Sequence, residues 1–420
     1  MKVVVLGAGV VGVTTAYYLA RAGFAVTVVD RQPGPALETS FANGGQIAPA
    51  HADPWANPRT PRKLVRWLGR DDAPLLFRLR ADPKLFAWGL RFLANCPDGR
   101  SRRNMLKILR LALYSRESLG ELRDSTGMHY HQRRRGILHV YRDPAEFAHA
   151  QGVASAMRDA GLDRYPVSVE EAVRLEPALA DAAPRLTGAL YSPGDESGDA
   201  HNFTVSLAAE AVGLGVDFRF GNALRRVHHR RRRITGVETD EGLIQGDDYV
   251  VCLGSFSPLF LAPLGIRLPV YPAKGYSITV PLATDARAPD VSITDDEHKM
   301  VFSRLGPALR AAGTAELDGW STACRDSRIQ LTLNNTLDLF PGCGARPDNV
   351  RAWCGLRPKT PDSVPVLGPT RYDNLWLNTG HGSLGWTLAC GSARVITDTL
   401  AGHTPGVPLD GLTLGRFSWS

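Results

Sequence analysis

Gly7, Gly9 and Gly12 stand in Gly-x-Gly-x-x-Gly spacing near the start of the chain, directly behind the β-branched run Val3-Val4-Val5 and ahead of a helical pattern that runs through Leu19. In a strand-turn-helix of this kind the first glycine permits the tight turn. The second lets a pyrophosphate approach the backbone, and the third lets helix and strand pack closely. Phosphate oxygens would then face the positive end of the helix dipole. A second strand, Ala25 to Val29, ends at Asp30, which is placed to accept hydrogen bonds from an adenosine ribose. The segment Val5, Leu6, Gly7, Ala8, Gly9, Val10, Val11, Gly12, together with Asp30, is therefore expected to bind a dinucleotide. Arg31 could pair with a 2′-phosphate, but Asp30 beside it repels that group, so Arg31 is read as a solvated residue or a stack for adenine. The fingerprint alone serves NAD and FAD equally.

A chain of 420 residues exceeds what one hydrophobic core usually supports, so two domains are expected. The strand-helix-strand opening is followed by a loop rich in Gly, Pro, Ser and Asn from Gln32 to Pro61, then by a mostly helical stretch from Lys63 to Leu122. That stretch is too long for a simple crossover. A strand at Gly136 to Tyr141 and helices near Ala145 to Ala160 and Val169 to Leu175 come next. After a helix from His201, a meander of short strands ends at Tyr249-Val250-Val251-Cys252-Leu253-Gly254. Residues 271 to 344 read as strands with a helix near Arg325 to Leu339, and a last helix is expected near Leu384 to Leu400. The fold class is α/β of mixed α+β character: a Rossmann-like cofactor domain with an interleaved mixed-sheet substrate domain.

The formal net charge of +7 suits anionic cofactors, anionic surfaces or nucleic acid. Its densest run, Arg230 to Arg233, precedes Ile234 and Gly236 and lacks interleaved aromatics, so a solvated hairpin tip is expected and a nucleic-acid partner is not. Six scattered cysteines contain no Cys-x-x-Cys pair, so neither a metal site nor a redox dithiol is expected. Lys2 to Leu6 meets Gly7 at once, without the apolar core of a signal peptide. A cytoplasmic protein is the expectation.

Three further segments bear on the cofactor: Glu38 to Gln46, Val250 to Gly254, and Asn378-Thr379-Gly380-His381-Gly382-Ser383-Leu384-Gly385-Trp386. With the N-terminal fingerprint they resemble the D-amino acid oxidase superfamily of flavoproteins. Within it, Pro269 to Ser277, Gly355-Leu356-Arg357-Pro358 and the Gly380 to Trp386 loop are similar to the bacterial D-amino acid dehydrogenase small subunits almost end to end. The resemblance implies non-covalent FAD, with a cofactor domain over residues 1–50, 190–270 and 345–420 and a substrate domain over 51–189 and 271–344. It implies that Ser40, Asn43, Gly45 and Gln46 line the flavin, that Gly254 passes near the dinucleotide, and that Gly380, His381, Gly382, Leu384 and Gly385 meet the pyrimidine edge of the ring. Backbone N–H groups at a helix N-terminus there would stabilise negative charge on reduced flavin, with His381 a candidate helper.

On the substrate side, Arg357 matches the superfamily position that forks onto an amino acid carboxylate. Tyr276 is a candidate partner through its phenol, or a packing residue. His51 stands where relatives often carry tyrosine, in the loop leading to Asp53, Pro54 and Trp55, and is either a site residue or an exposed one. The implied reaction is hydride transfer from Cα of a D-amino acid to flavin N5, followed by hydrolysis of the imino acid to a 2-oxo acid and ammonia. No obligatory acid or base is expected. A quinone is the implied acceptor, with an oxygen-reducing oxidase of glycine, sarcosine or another secondary amine as the alternative. Between Pro61 and Cys96, Arg62, Lys63, Arg66, Arg70, Arg78, Arg80 and Arg91 alternate with apolar residues, as in either a helix lying on the inner face of a cell membrane or an ordinary core helix.

Overall fold

The computed structural model describes residues 1–67, 69–71, 73–77 and 81–417. Its organising element is the strand Lys2–Leu6, which pairs in parallel with Ala25–Val29 on one side and Asp248–Val251 on the other. A parallel strand covered on both faces must be apolar throughout, and Val3, Val4, Val5 and Leu6 are all fully buried. Asp217–Arg219 extends the sheet beyond Ala25–Val29, while Leu375–Thr379 and then the antiparallel Val366–Pro369 extend it beyond Asp248–Val251, giving six strands.

Successive side chains point to opposite faces. Val3 and Val5 pack against the helices Val10–Arg21, Asp98–Thr126, Ala200–Gly213 and Gly385–Leu400 through Val13, Leu19, Ile108, Leu207 and Leu388. Val4 and Leu6 face a second cluster with Ile234, Val237, Leu261 and Leu377. There the strands Leu224–Arg230, Arg233–Thr239 and Gly242–Ile244 form a small antiparallel sheet. Arg230 to Arg233 make the turn of its first hairpin, with Arg231 at φ +53°.

The other large layer is a nine-stranded sheet. Its order runs Arg351–Lys359, Tyr271–Pro281, Ala308–Leu317, Met300–Leu305, Ser292–Asp295, Ile137–Tyr141, Gly188–Ser192 and Tyr165–Val167, with Leu75–Phe77 pairing in parallel to the end of Ala308–Leu317. Helices Asp326–Leu339 and Val169–Leu175 contribute to the apolar cluster on this sheet.

Several segments lie elsewhere than the sequence suggests. Arg351–Lys359, expected in the cofactor segment 345–420, is a strand of the nine-stranded sheet, because its pairing partner is Tyr271–Pro281. Asp98–Thr126, expected in the substrate segment 51–189, buries Met105, Ile108, Leu111 and Leu119 in the core beneath the six-stranded sheet. The stretch from Pro61 to Cys96 is two helices, Thr60–Trp67 and Pro83–Asn95, separated by the Leu75–Phe77 strand. Arg78 and Arg80 of that stretch lie outside the described residues.

The close approach of helix to strand at the glycine turn is absolute: a Cβ at Gly12 would overlap the carbonyl oxygen of Gly7. Gly89, inside the helix Pro83–Asn95, meets nothing within 4 Å. Gly12→Ala is therefore expected to cost about 1–3 kcal/mol from overpacking and to lower the melting temperature by several degrees. Gly89→Ala should raise it slightly through helix propensity. Thermal unfolding of the two variants followed by circular dichroism checks the pair, and a Gly12→Ala protein as stable as wild type would refute the contact.

Candidate active site

Between the two layers lies a cavity of about 1000 Å³, at the upper end of ligand-binding clefts. One end is built on the glycine turn. Gly7, Gly9, Val10 and Val11 line it, while Val5, Leu6, Ala8 and Gly12 hold the turn from behind. Gly7 N–H donates to Val29 O at 2.8 Å. Asp30 ties the turn to the second strand, its Oδ2 accepting from Ala8 N at 2.6 Å and its Oδ1 from Gln32 N at 2.8 Å. Burial pushes the Asp30 pKa up and these two N–H groups oppose the shift. An ionised carboxylate has lone pairs left over for ribose hydroxyls. Arg31 is paired with Glu38 at 2.5 Å and lies over the Phe256 ring at 4.0 Å, so its guanidinium is already stacked and paired at the rim.

The loop after Asp30 closes the turn. Ser40 Oγ accepts from Val10 N at 3.1 Å, capping the helix, and Asn43 Oδ1 accepts from Gly45 N at 2.9 Å. Gln46 Nε2 donates to Ser292 Oγ, Ile293 O and Thr294 Oγ1, cross-linking the loop to the nine-stranded sheet. On the opposite wall, Gly254 ends the Asp248–Val251 return, and Gly380, with φ +77°, turns the chain into the loop that starts Gly385–Leu400. Gly254, His381, Gly382, Leu384 and Gly385 line the cavity. The His381 ring contacts Ser392 Oγ at 3.2 Å, and burial lowers its pKa to about 3. Burial thus favours the neutral ring, which takes part through hydrogen bonds.

At the other end, Arg357 lies across Gly275, whose missing side chain leaves the room: a Cβ there would overlap the guanidinium. Arg357 Nη1 donates to Thr314 O at 2.7 Å. Thr314 holds a φ of +50°, unusual for a β-branched residue and a form of strain often kept at functional sites. Among the described residues no carboxylate pairs with Arg357, and burial lowers its pKa to about 10, so the alternative of a structural ion pair does not hold. Tyr276 is different: its phenol donates to Glu316 Oε2 at 2.5 Å, and the residue is almost wholly buried. The hydroxyl is committed to a network of Lys274, Glu316, Asp318 and Arg325. His51 lines the cavity; its Nε2 lies 3.0 Å from Gln46 Oε1 and 3.1 Å from Thr294 Oγ1, and burial lowers its pKa to about 4. It is a neutral, hydrogen-bonded wall residue, beside the buried His139 ring at 4.6 Å.

Lys359 was missed. It lies two residues after Arg357 on the same strand, so the strand's period of two puts both side chains on the cavity face, and both line it. That period was the available signal; the intervening Pro358 drew attention to the backbone instead.

The chain matches the family model described as FAD dependent oxidoreductase over residues 2–399. It is 56% identical over 419 residues to the D-amino acid dehydrogenase of Paramagnetospirillum magneticum, covering 100% of this chain and 99% of that one. To the D-amino acid dehydrogenase of Dechloromonas aromatica it is 54% identical over 410 residues, covering 96% and 98%. In fold it is similar to the L-proline dehydrogenase from P. horikoshii, with a TM-score of 0.78 at 18% identity over 99% of this chain and 97% of that one. Glycine oxidase from Geobacillus kaustophilus gives a TM-score of 0.78 at 19% identity, each chain fully covered. The residues fit the cofactor of that family, since the glycine turn presents bare backbone to the cavity and an acid closes the second strand. The chain belongs to the FAD dependent oxidoreductases.

Proposed function

We propose that this chain oxidises D-amino acids to imino acids, which water converts to 2-oxo acids and ammonia, and that the electrons leave to a quinone. The observation that carries the substrate class is Arg357, a cation facing the cavity with carbonyl oxygens for partners and no acid among the described residues. Such a group is poised for a carboxylate, which exchanges weak neutral acceptors for a charge-assisted fork. FAD, when bound, supplies the acceptor for the hydrogen and electron pair removed from Cα. The protein's part is positioning: Arg357 fixes the carboxylate, Gly275 keeps the guanidinium low against the sheet, and Thr314 O holds its plane. Neutral His51 and His139 add no competing charge to the wall. The D-configuration is supported by the relatives at 54 and 56% identity that bear that name.

Arg357→Lys should keep the flavin spectrum but lower kcat/KM roughly 10- to 1000-fold, as one strong charged contact is lost, and Arg357→Ala should be worse. Steady-state kinetics with a series of D-amino acids test this. An alanine variant with wild-type kcat/KM would place the carboxylate elsewhere.

For the acceptor, the supporting feature is the helix Pro83–Asn95. Its inner face carries Trp88 and Phe92, buried with Tyr271, Ala273 and Leu317. Its outer face carries Phe86, Leu90 and Leu93, which are 63%, 71% and 47% exposed. The neighbouring helix Thr60–Trp67 shares that small core through Leu64 and exposes Val65 between Arg62 and Arg66. Apolar residues among exposed arginines suit peripheral contact with an anionic bilayer, where a quinone is available. No described helix is long and apolar enough to cross a membrane. The double variant Phe86→Asp, Leu90→Asp is expected to abolish flotation with anionic liposomes while keeping FAD and activity with a water-soluble dye. Unchanged flotation would remove this helix from the contact.

A further inference from the structure

Lys359 is 3% exposed, yet no acid among the described residues pairs with it. Its Nζ donates to Ser363 Oγ at 3.3 Å and lies 4.2 Å from the centroid of the Trp55 ring. Asp362, the nearby carboxylate, is held by Arg416 through bonds of 2.7 and 3.3 Å. Among the described residues, no carboxylate lies within ion-pair distance of Lys359. A buried ammonium without a counter-ion is costly, and burial with the neighbouring Arg357 charge lowers the Lys359 pKa to about 7.

The position of that ammonium is specific. The Lys359 backbone bridges to His381, and a Cβ built on Gly382 would sit 3.1 Å from Lys359 Nζ. The head group therefore rests on the loop Gly380 to Gly385, at the start of the helix Gly385–Leu400. An ammonium has three N–H donors and no acceptor. The one hydrogen bond to Ser363 leaves donors for the cavity, and the Trp55 face fixes the group without neutralising it.

We propose that Lys359 is the cationic partner of the cofactor's pyrimidine edge, balancing the negative charge that this edge carries in the reduced form. The proposal rests on the reading that the Gly380 to Gly385 loop meets that edge. The loop's backbone contributes only partial charges, and neutral His381 contributes none, so among the described residues that touch this loop Lys359 is the side chain able to carry a full positive charge. A preorganised cation facing the site of developing charge favours reduction. When the edge is reduced, its charge also draws a proton onto Lys359, so electron and proton uptake are linked at this residue.

The test compares wild type, Lys359→Met and Lys359→Arg, each purified with FAD. The readouts are the midpoint potential of the bound flavin and its affinity for sulfite, which adds to oxidised flavin and leaves negative charge on the ring. Lys359→Met is expected to keep a native flavin spectrum, to lower the midpoint potential and to weaken sulfite binding 10-fold or more, while Lys359→Arg recovers most of both. Lys359→Gln serves as the second neutral variant if the methionine protein does not fold. A folded, FAD-replete neutral variant with wild-type potential and sulfite affinity overturns the proposal. So does a variant whose KM for D-amino acids rises while the potential stays fixed, because Lys359 would then belong to the carboxylate clamp. A wild-type chain that takes up no FAD overturns the cofactor reading itself, an outcome distinct from either of these.

Discussion

Every part of the cavity hangs on one strand being gripped from both sides. Lys2–Leu6 lies between Ala25–Val29 and Asp248–Val251, and the glycine turn that follows has almost no side chains with which to hold its own shape. It is held instead by the backbone: Gly7 N–H reaches Val29 O, and Cys252 N–H reaches Leu6 O, each at 2.8 Å. One of those clamps is local, and the other arrives only after the strands Leu75–Phe77, Ile137–Tyr141, Tyr165–Val167 and Gly188–Ser192 of the nine-stranded sheet have been threaded in between. The phosphate-binding turn is thus complete only when a distant segment has folded, and pairings of such long sequence separation form slowly.

The two walls of the cavity are electrostatically unlike. Behind the nine-stranded sheet, Lys274, Glu316, Asp318 and Arg325 neutralise one another and absorb the Tyr276 phenol. In front of it, Arg357 and Lys359 face the cavity with carbonyls, a hydroxyl and an indole as their partners. Charges that are paired with each other specify the packing of the sheet, whereas charges left without anions are available to ligands.

These distinctions also explain what could be read from the sequence. The glycine turn, the place of Asp30 at the end of the next strand and the final helix were legible because each follows from a local rule: spacing after a strand, the strand's end, a glycine-rich helix start; Arg357, which lines the cavity, was singled out by resemblance and not by any such rule. The hydrogen-bond partners of Tyr276 and His381 were not legible, because Glu316 and Ser392 are brought to them by sheet register and helix packing rather than by neighbours in sequence. The division of the stretch from Pro61 to Cys96 into two helices and a strand was hidden for a related reason. Its alternation of arginines and apolar residues is real, but Leu75–Phe77 is captured as a strand by the end of Ala308–Leu317, and tertiary pairing overrides local pattern. Helix Asp98–Thr126 joined the cofactor layer because its apolar stripe had the larger core to fill there.

The helix Pro83–Asn95 has a geometry with a consequence of its own. Phe92, on its inner side, lines the cavity, and the Trp88 indole N–H donates to the carbonyl oxygen of Lys359 at 2.9 Å. Phe86, Leu90 and Leu93 look outward from the same helix. A molecule resting on that outer stripe is separated from the cavity by the thickness of a single helix, about 10 Å. On the proposed reading, substrate and acceptor would therefore use different doors: the amino acid would reach Arg357 through the cavity, while an acceptor on the outer stripe would lie one helix of packed aromatic side chains away from it.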